Sequence, residues 1–331
     1  MKTLPYISIL TPTYNSEKML QSFLETIRKQ LYPKNKIEIL ILDGGSTDNT
    51  LSIAKKYNVK IHYNAKRLAE PAITLGMSVA SGDLMIVLAV DNFLYDNKSL
   101  QKIAEVFEDK NIYAAFPKHE SKNSDTIYTK YINTFTDPYN HFVYGYAANA
   151  RTFHRVYDTL EHNNLYDIYD YGSHDVRPMM ALAQGFTVRK GFKRKKSDAM
   201  DDIRPILDLL DQKKKIAYVH SVPLYHHTIH SLDHFIRKQR WATRNAIENQ
   251  KYGIVLRANQ LSEGQKLRIK LWPFYALTLL APIIVSLWGL VKDKQTIWLM
   301  HPVLCFLSAY ASVIEIVIYN TTSKAIVSRQ K

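Results

Sequence analysis

Cysteine is all but missing. Cys305 stands alone in 331 residues, which excludes an intramolecular disulfide and the cysteine-rich zinc sites, and fits a reducing compartment. No GxGxxG and no GxxxxGK[ST] occurs, so the two commonest glycine-rich phosphate cradles are excluded too. Acids are in short supply: 30 Asp and Glu against 44 Lys and Arg leave a formal charge of +14. That excess suits nucleic acid, an anionic membrane or phosphate-bearing ligands. No nucleic-acid-binding motif accompanies it, so no nucleic-acid partner is expected. The opening "MKTLPYISILTPTYN" is broken by Pro5 and Pro12. It is too short and polar for a signal peptide and reads as a first strand.

What is present suffices for a full core. Hydrophobic residues make up 46% and aromatics 11%, and the length allows one large domain plus an appendage. The first hundred residues alternate between two patterns. "YISIL", "IEILIL", "VKIHY" and "DLMIVLAV" are apolar runs of strand length. Between them, "SEKMLQSFLETIRKQL" places Met19, Leu20, Phe23, Leu24, Ile27 and Leu31 at helical spacing, and "TDNTLSIAKKY", "EPAITLGMSVASG" and "NKSLQKIAEVFED" also read as helices. This order implies an α/β fold with a Rossmann-like, mostly parallel sheet. Ligands of such sheets sit beyond the carboxyl ends of the strands. Asp43 falls at such an end, in "ILILDGGSTDNT". Gly44 and Gly45 allow a sharp turn, and Ser46 or Thr47 can cap a helix whose first turn contains Asp48. The same residues also suit an ordinary strand-to-helix turn.

The C-terminal third differs. Leu271 to Val291 has no charged residue and is long enough to cross a bilayer as a helix, although Pro273 and Pro282 would kink it. A second apolar stretch, Thr296 to Tyr319, is interrupted by His301 and Glu315. Glu315 should face a partner helix or an interface. Trp272, Trp288, Trp298 and Tyr319 and the basic edges favour a membrane over a buried core hairpin. Lys266, Arg268 and Lys270 precede the first stretch, and Lys324, Arg329 and Lys331 follow the second, which puts both ends in the cytoplasm. A re-entrant hairpin satisfies the same pattern. "SLDHFIRKQRWATRNAI" reads as an amphipathic helix lying on the bilayer surface. The basic run Arg189 to Lys196 is either solvated or turned to lipid phosphate. The expected organisation is a catalytic domain over 1–230, an interfacial helix region over 231–268, a transmembrane or re-entrant hairpin over 269–321, and a basic tail over 322–331.

Together, "TPTYN", "ILDGGSTDNT", "ASGDLMIVLAVDN" and "DDIRPILDLLDQKKKIAYV" resemble the family 2 glycosyltransferases of the A-type nucleotide-sugar-binding fold, over roughly residues 5 to 245. The resemblance implies a nucleotide-sugar donor held by Pro12, Thr13, Tyr14, Asp43 and Asp83, with Asp43 on the base. It implies a divalent cation, Mg or Mn, at an Asp-X-Asp motif. Here that motif is "LAVDN": its first acid is Ala89, and Asp91 alone remains. Asn92 or His227 is the nominated supplement. The family's Arg-Asn pair on the donor helix is Ile73-Thr74 here, and Lys66 and Arg67 are candidate replacements. Asp202 matches the catalytic base of an inverting transfer, with Asp201 before it and Asp175 as the rival. "RKQRW", with Arg237, Arg240 and Trp241, resembles the acceptor-side motif of processive synthases, but the Gln position is Arg237 and no processivity follows. The expected function is transfer of one sugar to a lipid-linked or glycan acceptor at the cytoplasmic membrane face. The alternatives are a degenerate sugar-nucleotide-binding scaffold and a nucleotidyltransferase, whose glycine-rich loop after the first strand is lacking.

Overall fold

The computed structural model describes residues 3–192, 194, 201–248 and 260–329, with side chains described to residue 321. The chain divides into two compact units. The first comprises residues 1–122, 150–174 and 178–227, and the second residues 123–149, 175–177 and 228–331. The second unit therefore takes up 123–149, a segment that the sequence reading assigned to the catalytic part.

The first unit follows the expected alternation: β1 (Ile7–Thr13), α1 (Glu17–Arg28), β2 (Ile37–Asp43), α2 (Thr50–Ala54), β3 (Lys60–Tyr63), α3 (Ala69–Val79), β4 (Leu84–Leu88), β5 (Asn92–Leu94), α4 (Ser99–Val106) and β6 (Ile112–Glu120). Two helices of the second unit intervene, α5 (Ile127–Phe135) and α6 (Pro138–Tyr144). The first unit then resumes with β7 (Asp158–His162), β8 (Asp167–Asp170), β9 (Gln184–Arg189), α7 (Arg204–Asp211) and β10 (Lys215–His226). All the strands join one sheet in the order β3-β2-β1-β4-β9-β6-β10-β8-β7, with β5 on β10. The sheet is parallel through β3-β2-β1-β4, then mixed, because β9 runs antiparallel to both β4 and β6. Helix α1 buries Leu20, Phe23, Leu24 and Ile27 as its spacing predicts, whereas Leu31 lies past its end and is exposed.

A buried carboxylate ties the amino ends of the parallel strands together. Glu38 accepts hydrogen bonds from Ser8 Oγ of β1 (2.5 Å), Lys60 Nζ of β3 (2.7 Å), and Ser81 N and Oγ before β4 (3.0 and 2.9 Å). Burial alone would raise its pKa, but these donors overcome that and hold it at about 2.

The basic run is partly structural. Arg189 donates to the carbonyls of Ile112, Phe107 and Asp109 and lies over the Phe107 ring. Residues 193 and 195–200 lie outside the described residues, as do the side chains of the tail 322–331.

The second unit adds α8 (Leu232–Glu248), α9 (Glu263–Thr278), α10 (Leu280–Asp293) and α11 (His301–Arg329) to α5 and α6. Its core gathers Tyr131, Phe135, Ile229, Phe235, Trp298 and Leu304. The continuous helix expected over Leu271 to Val291 is not formed. Leu279 adopts φ 59°, and α9 and α10 meet at a 92° bend. Pro282 in the first turn of α10 suits this restart, since a proline there forfeits no helical hydrogen bond. Helix α10 folds back on the 296–300 turn, where Gly289 has so little room that a Cβ would meet the Trp298 ring at 2.3 Å. Among the described residues, one segment, Thr296–Thr321, is long and apolar enough to cross a membrane by length and composition, or two if the bent pair counts as one.

The Glu38 network predicts a specific acid lability. Its folded pKa lies below the ordinary carboxylate value, so its stabilisation is complete above about pH 5 and lost as pH falls toward about 2. A shift of this size is worth on the order of 3 kcal/mol. Urea denaturation at stepped pH should show Glu38→Gln less stable than wild type at neutral pH, with the gap closing below about pH 3.

Candidate active site

The parallel register sets the site. Thr13 pairs with Asp43, and Asp43 with Tyr63, so the carboxyl ends of β1, β2 and β3 form one rim. The loops that leave it are stitched together. Asn15 N donates to Ser46 Oγ, and Asn15 Oδ1 accepts from Thr47 N. Asp48 Oδ2 accepts from Glu17 N while Glu17 Oε2 accepts from Asn49 N, so the entries of α1 and α2 brace each other.

Asp43 is buried and accepts four hydrogen bonds: from Gly45 N (2.8 Å), Ser46 N (2.9 Å), Ser46 Oγ (2.5 Å) and Thr13 Oγ1 (3.2 Å). Its first task is therefore to fold the GGST turn. Gly45 needs its freedom there, at φ 84°, and Gly44 lies so close to the next loop that a Cβ would meet Arg67 Cα at 3.2 Å. That loop carries Lys66 and Arg67, both exposed, and is held by Asn64, which bonds Lys66 N and Leu68 O through its side chain. Two exposed aromatics flank the glycines: Tyr14, the sequence candidate, and Tyr63, which the sequence reading passed over. Pro12 is half-buried beneath them.

Asp83 does not belong to this rim. It precedes Leu84, which pairs with Ile7 at the start of β1, and its carboxylate accepts from Tyr6 N (2.8 Å). Five residues of β4 separate it from the carboxyl edge, roughly 16 Å. It ties the strand entries together and is withdrawn from the donor set.

Asp91 follows β4 on the carboxyl edge. Strand β1 lies between β2 and β4, and Asp91 sits between the end of β4 and β5, which pairs with β10. Antiparallel pairing of β5 on β10 sets Asn92 opposite His226. His226 Nε2 then lies 3.6 Å from Asp91 Oδ2. His227, the ligand expected from the sequence, has its ring edge-on to Phe93 at 5.0 Å, and its backbone N–H donates to the Asp91 carbonyl. The reason is strand alternation, by which neighbouring side chains leave on opposite faces. His226 replaces His227 in the candidate set. Behind it, the His119 ring lies tilted at 5.3 Å and donates to Gln184 O through Nε2. Burial, then the neighbouring His226, push the His119 pKa down to about 3, so it stays neutral.

The donor set suits a hard or borderline divalent cation. Asp91 Oδ2 and His226 Nε2 converge, and Asn92 Oδ1 is buried with no hydrogen-bond partner, although its amide donates to Asp91 Oδ1. A separate group, His162, Asp167 and His220, also has ligand atoms within 4.8 Å of one another. It lies six residues back along β10 from His226, roughly 20 Å away, where His162 Nδ1 and Asp167 Oδ1 form a 2.5 Å pair.

The Asp201–Asp202 pair divides its labour. Asp201 is buried, and its Oδ1 accepts from Ile203 N and Arg204 N at the start of α7, so it shapes that turn. Asp202 is half-buried and acts on Glu70 at the start of α3. Burial first, and the Asp202 charge second, push the Glu70 pKa up to about 7. Arg194 clasps this region, donating to Glu70 O, Thr74 Oγ1 and Asp201 O. Thr74 occupies one position of the missing Arg-Asn pair, so Arg194 brings a guanidinium back to that helix. Asp175 belongs to the second unit, as do Arg237, Arg240 and Trp241. Arg237 pairs with Asp233, Arg240 with Glu315, and Trp241 is exposed.

The sheet and its rim are those of the A-type glycosyltransferase fold. Residues 8–171 match the model of the family described as "Glycosyl transferase family 2", so the first half of the chain is a domain of that family. A glucuronosyltransferase of Methanococcus voltae, named for transfer to dolichyl N-acetyl-alpha-D-glucosaminyl phosphate, is 43% identical over 89 residues, 25% of this chain and 28% of that one. The poly(ribitol-phosphate) beta-N-acetylglucosaminyltransferase TarS of Staphylococcus aureus is 34% identical over 108 residues, 31% of this chain and 19% of that one. The chain thus spans less than a third of the length of either relative. Among solved structures, the mannosyltransferase PcManGT from Pyrobaculum calidifontis, in complex with GDP-Man and Mn2+, superposes with a TM-score of 0.54 at 12% identity, covering 94% of this chain and 88% of that one. That likeness is one of fold.

Exchanging the two histidines separately tests the assignment. His226→Ala should weaken Mn2+ binding, followed by calorimetry with UDP and GDP present, by roughly tenfold or more. His227→Ala should leave it within about twofold; the reverse order would restore the sequence assignment.

Proposed function

We propose that the chain is an inverting glycosyltransferase. It moves a sugar from a nucleoside diphosphate donor to a lipid-linked or glycan acceptor, in polysaccharide or envelope-glycan synthesis at the cytoplasmic face of a membrane. The observation that carries the reading is the meeting of Asp91 and His226 on the rim where Thr13 and Asp43 end their strands. Asp43 and Asp91 both follow strands at the carboxyl edge of the sheet, where ligands of such sheets bind. Names of relatives that state dolichyl phosphate and poly(ribitol-phosphate) substrates support the class of acceptor.

The chain's own residues divide the work. Tyr14 and Tyr63 offer faces for a base, and Asp43 holds the turn that meets it. Lys66 and Arg67 bring positive charge to the loop beside Gly44 and Gly45, which suits an anionic donor. Asp91, His226 and Asn92 would hold Mg or Mn, which when bound neutralises charge developing on the leaving diphosphate. Asp202 takes the proton from the acceptor hydroxyl as that oxygen attacks the anomeric carbon and the diphosphate departs from the other face. Glu70, raised to about 7 by burial and then by the Asp202 charge, stands beside it.

A second reading keeps the fold without the reaction, because Ala89 removes one acid of the usual pair. A panel of sugar nucleotides, with and without Mn2+ or Mg2+, separates the two: an enzyme shows cation-dependent donor turnover and a scaffold shows none. Asp202→Asn should lower kcat by roughly 10²- to 10⁴-fold and leave donor affinity intact. Full activity in Asp202→Asn, with loss in Asp175→Asn, would move the base to Asp175.

A further inference from the structure

The geometry points to a monotopic seat for the second unit: its C-terminal helices lie in one leaflet of an anionic bilayer and do not cross it. This inference is independent of the transfer reaction, since it concerns only the faces of α8 to α11.

Helix α11 has two unlike sides. One is packed: Leu304, Cys305, Ser308, Ala309, Ala311 and Glu315 are buried. Helix α8 covers part of it with polar contacts at four-residue spacing. Gln239 Oε1 accepts from Ser308 Oγ (2.9 Å), and Thr243 Oγ1 donates to Ser312 Oγ (2.9 Å). Arg240 Nε (2.8 Å) and Arg244 Nε (2.5 Å) close the row on the two oxygens of Glu315. The apolar segment Thr296–Thr321 has its midpoint near Ser308. If α11 crossed a bilayer, this row would lie around the hydrocarbon centre. Arg237 and Lys238, exposed on the outer side of α8, would then be dragged in as well. An arginine-rich helix bound along the middle of the apolar segment is incompatible with a span.

The other side of α11 is apolar and bare. Val303, Tyr310, Val313 and Val317 are each 44–55% exposed. The bend between α9 and α10 presents more of the same, with Phe274 71% and Leu280 66% exposed. A face of this kind, alongside a charged helix, is the pattern of an in-plane helix that buries one flank in the acyl boundary. The occupant is an anionic lipid surface by charge complementarity. Arg268 and Lys270 on α9 and Lys294 after α10 are exposed, and Lys292 sits over the exposed Trp288 ring at 4.3 Å, an arrangement suited to headgroup depth.

Two measurements test this. Wild-type protein is floated with phosphatidylcholine vesicles, and with vesicles also containing phosphatidylglycerol. In a Cys305→Ser background, Gln295→Cys or Asn320→Cys then marks either end of the apolar segment for an impermeant maleimide, in spheroplasts and in inverted membranes. We expect flotation that rises several-fold with phosphatidylglycerol, and labelling of both positions from one and the same side. Labelling from opposite sides means a crossing and overturns the inference. Failure of the wild-type chain to float with anionic vesicles, alone or as a soluble oligomer, overturns it equally and does not depend on the cysteine variants folding.

Discussion

The candidate site depends on one register. Antiparallel pairing of β5 with β10 fixes Asn92 against His226, and alternation then decides which of two adjacent histidines meets Asp91. A slip of one residue would set Tyr225 or His227 opposite Asn92 in place of His226. The same edge is buttressed from behind by His119, whose buried ring stays neutral and fixes its proton on Gln184 O. The sheet that carries this edge is tied at its far end by Glu38.

Much of the fold was legible in the sequence because apolar runs of strand length alternate with helical periodicities up to α4. The carboxyl-edge rule then picked out Asp43, and the family resemblance added Thr13 and Asp91. Legibility failed where a single residue carries two possibilities. Asp83 flanks a strand just as Asp43 does, but at its entry, and only the register with β1 reveals which end it occupies. The pair in "YHHTIH" could have been resolved by extending the period of two along β10, a signal present in the sequence. Glu70, Tyr63 and Arg194 gave no local sign. Glu70 reads as a helix first-turn acid until the segment before α7, some 130 residues later, brings Asp202 against it.

The C-terminal third shows the limit of hydropathy. "LWPFYALTLLAPIIVSLWGLV" counts as one span by composition, yet Leu279 takes a left-handed conformation and the helix turns by 92°. His301, which interrupts the second apolar run, is fully buried and held between the hydroxyls of Tyr131 (2.5 Å) and Tyr275 (2.9 Å). Glu315 does face a partner helix, as a lone acid in an apolar run should, but the partner is the arginine-bearing α8.

The central claim is that Asp91 and His226 hold the cation that the diphosphate meets. Anomalous diffraction at the manganese edge, from crystals grown with Mn2+ and a nucleoside diphosphate, tests it directly. The account predicts one strong peak within about 2.0–2.4 Å of Asp91 and His226, with the diphosphate against it. Manganese found only at His162, Asp167 and His220, or a diphosphate bound away from the β4 edge, would contradict it.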